Sequence, residues 1–330
     1  MVSERLAAGK RLLMDWRMKA LLKQLLSRSP QGERLNHFLQ RYVTRSLPTG
    51  DASCAIIVAQ AREHVQTIAR HSHRALQDSV FYEFGAGWDL MIPLAYYGLG
   101  VNRQILVDFR PLLRPELVNA TIAQFARLRH DLGLSRVPAQ PLPEGTAALA
   151  LLKERYGMEY RAPADARDTG LPAARVDCIT CTNTLEHIPR DDIARILAEC
   201  RRILADEGVM SFRIDYQDHF SYFDSRISVY NFLRYSERAW TWYNSALHYQ
   251  NRLRHSDYMQ LISKAGFEII EERRTDPSDA DRALLGTLPV DQRFRHYGQP
   301  DLGVRGALLV MRKRNGRGGR GGRGVNASQA

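Results

Sequence analysis

The sequence predicts a doubly wound α/β fold, and three observations predict it. Short apolar runs suited to strands alternate with longer segments of helical period from Val80 to Met311. The first run closes in Glu83-Phe-Gly-Ala-Gly87, a glycine turn between a strand and a helix. The next run ends in an acid, Asp108, about twenty residues later, the spacing of a nucleotide-type crevice at the carboxyl edge of a parallel sheet.

Composition sets the frame. The 330 residues are 44% hydrophobic and 25% charged, ordinary for a globular protein. No run is apolar enough to span a membrane and the N-terminus lacks a secretory pattern, so a cytoplasmic location is expected. The net charge of +11 suggests a polyanion-binding protein until it is located. Ten basic residues against three acids fall in residues 1–47, and six against none in 312–330. The body between is close to neutral, which argues against a catalytic domain that tracks a phosphate backbone.

The elements follow in order. Residues 1–77 read as a basic helical region. Arg11–Arg28 has Met14, Met18, Leu21, Leu22 and Leu25 at three- and four-residue spacing, with Arg17, Lys19, Lys23 and Arg28 around them. Packing on the domain or a partner is the first reading of this helix, and lying on an anionic membrane face the second. Helices are expected over Glu33–Arg45 and Ala55–Gln77, separated by a Pro/Gly turn.

The catalytic domain is expected over 78–313. Its strands are read at Val80–Phe84, Gln104–Asp108, Met158–Ala162, Val176–Thr182, Gly208–Ile214, Phe267–Glu272 and Gly306–Met311. Its helices are read at Leu90–Tyr97, Pro115–Leu134, Asp191–Leu204 and Asp257–Ala265. Residues 216–254 break the alternation, being rich in Tyr, Phe, Trp, Asn and Arg, and read as a substrate-side lid or an aromatic subcore. Residues 314–330 carry Arg-Gly-Gly repeats, expected to be disordered, with loose attraction for polyanions such as RNA.

Cys178 and Cys181 have C-x-x-C spacing, but residues three apart on a strand face opposite sides, so they read as buried thiols and no residue is assigned to a metal. The glycine turn alone suits two cofactor classes. A dinucleotide site wants a third glycine three positions after Gly87, where Leu90 stands, so a nucleoside without phosphates fits better than a nicotinamide cofactor.

Further along stand Asp165-Ala-Arg-Asp-Thr-Gly-Leu-Pro172 and, after the fourth strand, Asn183-Thr-Leu-Glu-His-Ile-Pro189. With Glu83, Gly85, Gly87 and Asp108, these resemble the class I S-adenosylmethionine-dependent methyltransferases, especially their small-molecule (type 11-like) branch. The likeness covers about residues 78–215, and it implies a Rossmann-like seven-stranded sheet and S-adenosylmethionine as cofactor. By that resemblance Gly85 and Gly87 line the methionine part, and Glu83 and Ala86 count with them among the cofactor-binding residues. Asp108, with Phe109 beside it, holds the ribose hydroxyls. Asp165 accepts from the adenine amino group with Ala166 against the ring, and the backbone at Asn183 meets the amino-acid end. Thr182-Asn-Thr-Leu185 lacks the Asn/Asp-Pro-Pro-aromatic motif of enzymes that methylate exocyclic base amines.

A sulfonium methyl is already activated, so the chain has to align an acceptor, and an alcohol or phenol must also lose a proton. The fifth strand ends in Ile214-Asp-Tyr-Gln-Asp-His-Phe220, so His219 is the first candidate base, with His187 and Asp215 beside it. The expected function is O-methylation of a small or glycan-like acceptor, peripheral contact with the inner membrane face being made through residues 11–28. One rival is an RNA methyltransferase recruited by the basic ends, marked by salt-dependent RNA binding that needs 312–330. The other is a non-catalytic scaffold, marked by weak cofactor binding.

Overall fold

The computed structural model describes residues 15–28 and 47–314. The helix expected over Glu33–Arg45, the start of the one over Arg11–Arg28 and the Arg-Gly-Gly tail after Arg314 lie outside them. The elements are α1 (Trp16–Ser27), α2 (Asp51–His71), β1 (Val80–Phe84), α3 (Met91–Gly98), β2 (Arg103–Val107), α4 (Pro115–Leu128), α5 (Thr146–Tyr156), β3 (Met158–Arg161), β4 (Val176–Thr182), α6 (Arg190–Ile203) and β5 (Leu204–Asp215). There follow α7 (Glu237–Trp240), α8 (His255–Lys264), β6 (Phe267–Thr275), α9 (Asp279–Thr287), α10 (Gln299–Gly303) and β7 (Gly306–Lys313).

The seven strands form one sheet in the order β3-β2-β1-β4-β5-β7-β6, parallel except for β7, which runs antiparallel to both its neighbours. Every residue of β1 is buried, as a central strand covered on both faces requires. One core layer contains Cys181 with Tyr82, Phe212 and α6; the other contains Cys178 with Phe81, α2 and α3. The two thiols therefore face opposite sides of β4 and cannot share an ion. The order reverses between β1 and β4, so the carboxyl ends of β1, β2, β4 and β5 open on one crevice, where α/β sheets hold their ligands.

Several boundaries differ from the sequence reading. The helix expected to reach Leu134 stops at Leu128: Leu132 and Leu134 stay buried, but in a turn closed by Gly133 at φ +56°. Helix α5 has no counterpart in that reading. Its apolar residues run around the helix, and only Ala148, Leu152 and Tyr156 point inward, so it lacks a readable stripe. The helix placed over Ala55–Gln77 starts at Asp51 and ends at His71.

The face assigned to α1 is also corrected. Met18, Leu21, Leu22 and Leu25 are exposed, while Trp16 and Ala20 on the opposite side are buried. Trp16 enters an aromatic cluster with ring centroids 4.8 Å from Tyr243, 5.4 Å from Phe220 and 5.8 Å from Tyr235, and its backbone N–H donates to Asp224. That cluster also contains Tyr230, Phe232, Trp240, Leu285, Phe294 and Leu302. The 216–254 stretch is thus a subcore, completed by α1 and by the segment after β6.

Two buried guanidiniums hold the subcore. Arg254 donates to the carbonyls of Tyr216, Leu302 and Val304 at 2.9, 2.8 and 2.7 Å, and Arg252 to those of Phe232 and Tyr235 at 2.9 and 2.6 Å. These arginines serve the backbone and not an acceptor's hydroxyls. Arg254→Leu orphans three buried carbonyls, so urea unfolding is expected to show stability lower by roughly 3 kcal/mol; an unchanged midpoint would contradict this role.

Candidate active site

The turn after β1 is shaped by its glycines. Gly85 and Gly87 sit at φ +80° and +78°, in the left-handed region that side chains avoid. A Cβ at Gly85 would also stand 2.6 Å from the Thr184 side chain, so the turn and the loop after β4 touch only because Gly85 has none. Ala86 between them packs into the core. The turn leads into α3 through Leu90, itself left-handed at φ +50°.

Glu83 does not reach the crevice as a free carboxylate. It is buried, accepts from the Thr180 hydroxyl and, at 3.4 Å, from that of Thr182, and burial pushes its pKa up to about 8. It therefore ties β1 to β4 beneath the turn. The two threonines went unread in the sequence, although they alternate along β4 on one side.

Asp108 ends β2 and is buried, with its Oδ2 lacking any hydrogen-bond partner. Burial raises its pKa to about 7, against the opposing pull of the Tyr160 hydroxyl and the backbone of Gly87 and Ala86. A buried acceptor oxygen without a donor is what a ribose hydroxyl would satisfy, so the residues present fit a nucleoside. Tyr160 is in turn fixed by the N–H groups of Leu112 and Leu113 at 3.2 and 3.3 Å. Phe109, next along, is exposed.

Asp165 is engaged. Both its oxygens accept from Arg167, at 2.7 to 3.0 Å, and these bonds hold its pKa below the usual carboxylate range. Arg167 also pairs with Asp192 on α6 at 2.7 Å. An adenine amino group would have to share Asp165 with that guanidinium, while Ala166 packs against the core as an apolar neighbour should. Asn183 is left-handed at φ +49°, and its N–H donates to the Arg213 carbonyl at 2.9 Å.

Leu185–His187 form a short 3-10 turn rather than the start of α6, which begins at Arg190. The turn brings His187 against His219, the ring centroids 4.9 Å apart. His187 Nδ1–H donates to the Tyr249 carbonyl at 2.6 Å. Desolvation, with the nearby His219, lowers its pKa to about 4, so it is neutral at physiological pH. Asp215 stands 3.3 Å from His219 Nε2 through Oδ2 and accepts from Tyr222 and Gln217. Burial pushes the Asp215 carboxyl up, but His219 and Tyr222 outweigh it and the net shift is downward, so Asp215 is ionised. Glu186 behaves in the opposite way: burial, then the charge of Asp215, raises its pKa well above the ordinary range.

The sequence reading missed His248 and Lys23. Lys23 donates to His248 Nδ1 at 3.1 Å, and the His248 ring lies 6.1 Å from that of His219. Burial lowers the Lys23 pKa to about 8. His248 stands among aromatics, and only its place in the fold joins it to the other two rings. Glu83, Gly85, Gly87 and Asp108 thus gather at one part of the crevice edge, and Asp215, His187 and His219 at another.

A seven-stranded sheet in this order, with its glycine turn and ribose-type acid, defines the class I methyltransferase architecture. Residues 144–212 match the family described as methyltransferase domain. That segment carries Asp165, Asn183, Glu186 and His187, and the glycine turn and Asp108 lie before it. Over residues 144–212 the chain carries a methyltransferase domain, on a sheet with the strand order of the class I S-adenosylmethionine-dependent methyltransferases. No curated protein matches it in sequence. Among solved structures it is similar to a Streptomyces coelicolor geranyl diphosphate C-methyltransferase (12% identity, 77% of this chain and 78% of that one, TM-score 0.42). It is also similar to a Methanosarcina mazei S-adenosylmethionine-dependent methyltransferase (12%, 75% and 97%, 0.41). A third is a Burkholderia thailandensis 1,6-didemethyltoxoflavin-N1-methyltransferase (14%, 93% and 94%, 0.42).

The raised Asp108 pKa gives cofactor binding a pH dependence. A ribose diol needs the ionised acid, so affinity rises with pH through about 7 and flattens above it. Calorimetry with S-adenosylhomocysteine is expected to show roughly tenfold tighter binding at pH 8 than at pH 6. Asp108→Asn should bind more weakly and without this slope. A wild-type affinity that is flat or falls over that range would contradict the assignment.

Proposed function

We propose that this methyltransferase acts on a hydroxyl of a small or glycan-like acceptor, and that His219 takes the hydroxyl proton. The observation that carries this reading is the His219–Asp215 contact of 3.3 Å at the end of β5, with the His187 ring packed against that of His219 at 4.9 Å. S-adenosylmethionine supplies an activated methyl group, which leaves the protein the tasks of alignment and proton removal. An imidazole beside an ionised carboxylate suits the second task, because the carboxylate stabilises the imidazolium once the proton has moved. Tyr222, stacked on His219 at 5.3 Å, offers a planar surface for a ring-shaped acceptor.

His219→Asn is expected to lower kcat by about 10²–10⁴-fold with S-adenosylhomocysteine affinity unchanged; an undiminished kcat would remove His219 from the reaction. The acceptor class is tested with isotope-labelled cofactor and fractionated cell extract. Label in small metabolites or lipid-linked glycan supports the proposal, and label in RNA supports the RNA-directed rival.

The exposed stripe on α1 supports a peripheral membrane contact. Met18, Leu21, Leu22 and Leu25 face away from the domain, and the exposed cations Arg17 and Arg28 flank them. No helix among the described residues is long and apolar enough to cross a membrane, whereas a basic helix with one bare apolar face suits an anionic lipid surface. The full chain is expected to float with phosphatidylserine-containing vesicles, and the Leu21→Glu, Leu25→Glu double variant to remain behind. Equal behaviour of the two proteins would contradict the contact.

A further inference from the structure

Glu186 is the least explained residue of the crevice. It is 3% exposed, yet neither of its carboxylate oxygens has a hydrogen-bond partner. A buried carboxyl without partners is costly, and a folded protein keeps one where something satisfies it. The nearest chemistry is imidazole. One ligand atom from each of Glu186, His187 and His219 lies within 4.8 Å of the other two, so the three donors converge on one point.

The imidazoles are prepared for the same task. Because His187 Nδ1–H donates to the Tyr249 carbonyl, its tautomer is set and Nε2 carries the free lone pair. A carbonyl behind a ligating imidazole is the usual way a protein orients such a ligand. The His219 Nε2 is buried and has no hydrogen bond, although Asp215 lies beside it. Lys23, the nearby cation, is directed onto His248 Nδ1 and not onto any of the three.

The backbones are held as well. The Gln250 side chain accepts from the His219 N–H at 3.1 Å, and the Asn251 N–H donates to the Glu186 carbonyl at 2.9 Å. The Asn251 amide donates to the carbonyls of Leu185 and Ile188, both at 2.8 Å, on either side of Glu186 and His187. One short segment thus sets the position of ligands from two different strand ends.

We propose that Glu186, His187 and His219 bind one divalent transition-metal ion. Two imidazoles and a carboxylate, with no thiolate, suit zinc, manganese(II) or iron(II) rather than magnesium or copper(I). The inference rests on the O-methylation reading for its use and deepens it. In the metal-loaded form His219 is a ligand and not the base. An acceptor hydroxyl bound to the ion ionises near neutral pH, its proton passing to water, so the ion's charge replaces the imidazole lone pair.

The test is metal binding by the full chain, read without activity. Metal-stripped protein is dialysed against zinc, manganese or cobalt(II), and bound metal is measured by mass spectrometry; cobalt is also followed by its visible absorption. One equivalent of metal per chain, with cobalt absorption that zinc abolishes, is expected. Glu186→Gln and His219→Asn should each weaken binding tenfold or more. S-adenosylhomocysteine affinity, measured on the same samples, should be unchanged, which shows that the variants are folded. His187→Asn replaces either variant that fails this check. No bound equivalent in the wild type, or equal binding in the folded variants, would overturn the site. Since the cofactor assay is independent, losing the metal would leave the methyltransferase standing.

Discussion

The Asn251 side chain is the contact on which the acceptor half of the crevice depends. Its amide bridges the two carbonyls that flank the Glu186–His187 turn, and its oxygen accepts from the Leu253 N–H at 2.9 Å. β4 and β5 end on the same edge, but neither strand by itself places a histidine against the other. The chain returns after the aromatic subcore, and Tyr249, Gln250 and Asn251 fasten the two ends together. Arg252 and Arg254, immediately after, anchor that return to the carbonyls of the subcore and of the β7 approach.

The four carboxyls of the crevice are separated by environment and not by residue type. Glu83 and Glu186 lie where burial favours the neutral acid, Asp108 sits near neutrality, and Asp215 is held ionised by His219 and Tyr222. Such separation gives one fold distinct tasks for chemically similar groups. Glu83 clamps β1 to β4, Asp108 is poised to answer a diol, and Asp215 backs an imidazole.

The sheet was legible because parallel strands buried on both faces read as short apolar runs. β1 and β4 are recovered at their bounds for that reason, and β7, although antiparallel, near its own because it is also buried along most of its length. The glycine turn and Asp108 were legible because their roles are local, set by a backbone angle and a strand end. What the sequence hid was long-range. Nothing local tells that Arg167, which grips Asp165, is itself held by Asp192 on α6, or that Lys23 meets His248, at the far side of the sequence. The α1 helix shows the limit of periodicity: its apolar stripe is real, but Trp16 decides the docked face because a tryptophan buries more area than the leucines beside it. The 216–254 stretch lacked a period because its turns are short and its order comes from ring packing and two buried guanidiniums.

The central claim is that the edge of β1 and β2 holds a nucleoside methyl donor and not a dinucleotide. Titration calorimetry of the wild-type chain with S-adenosylhomocysteine and with NAD tests it directly. One site for S-adenosylhomocysteine and no heat from NAD is the predicted result. Tight binding of NAD with none of S-adenosylhomocysteine would contradict it.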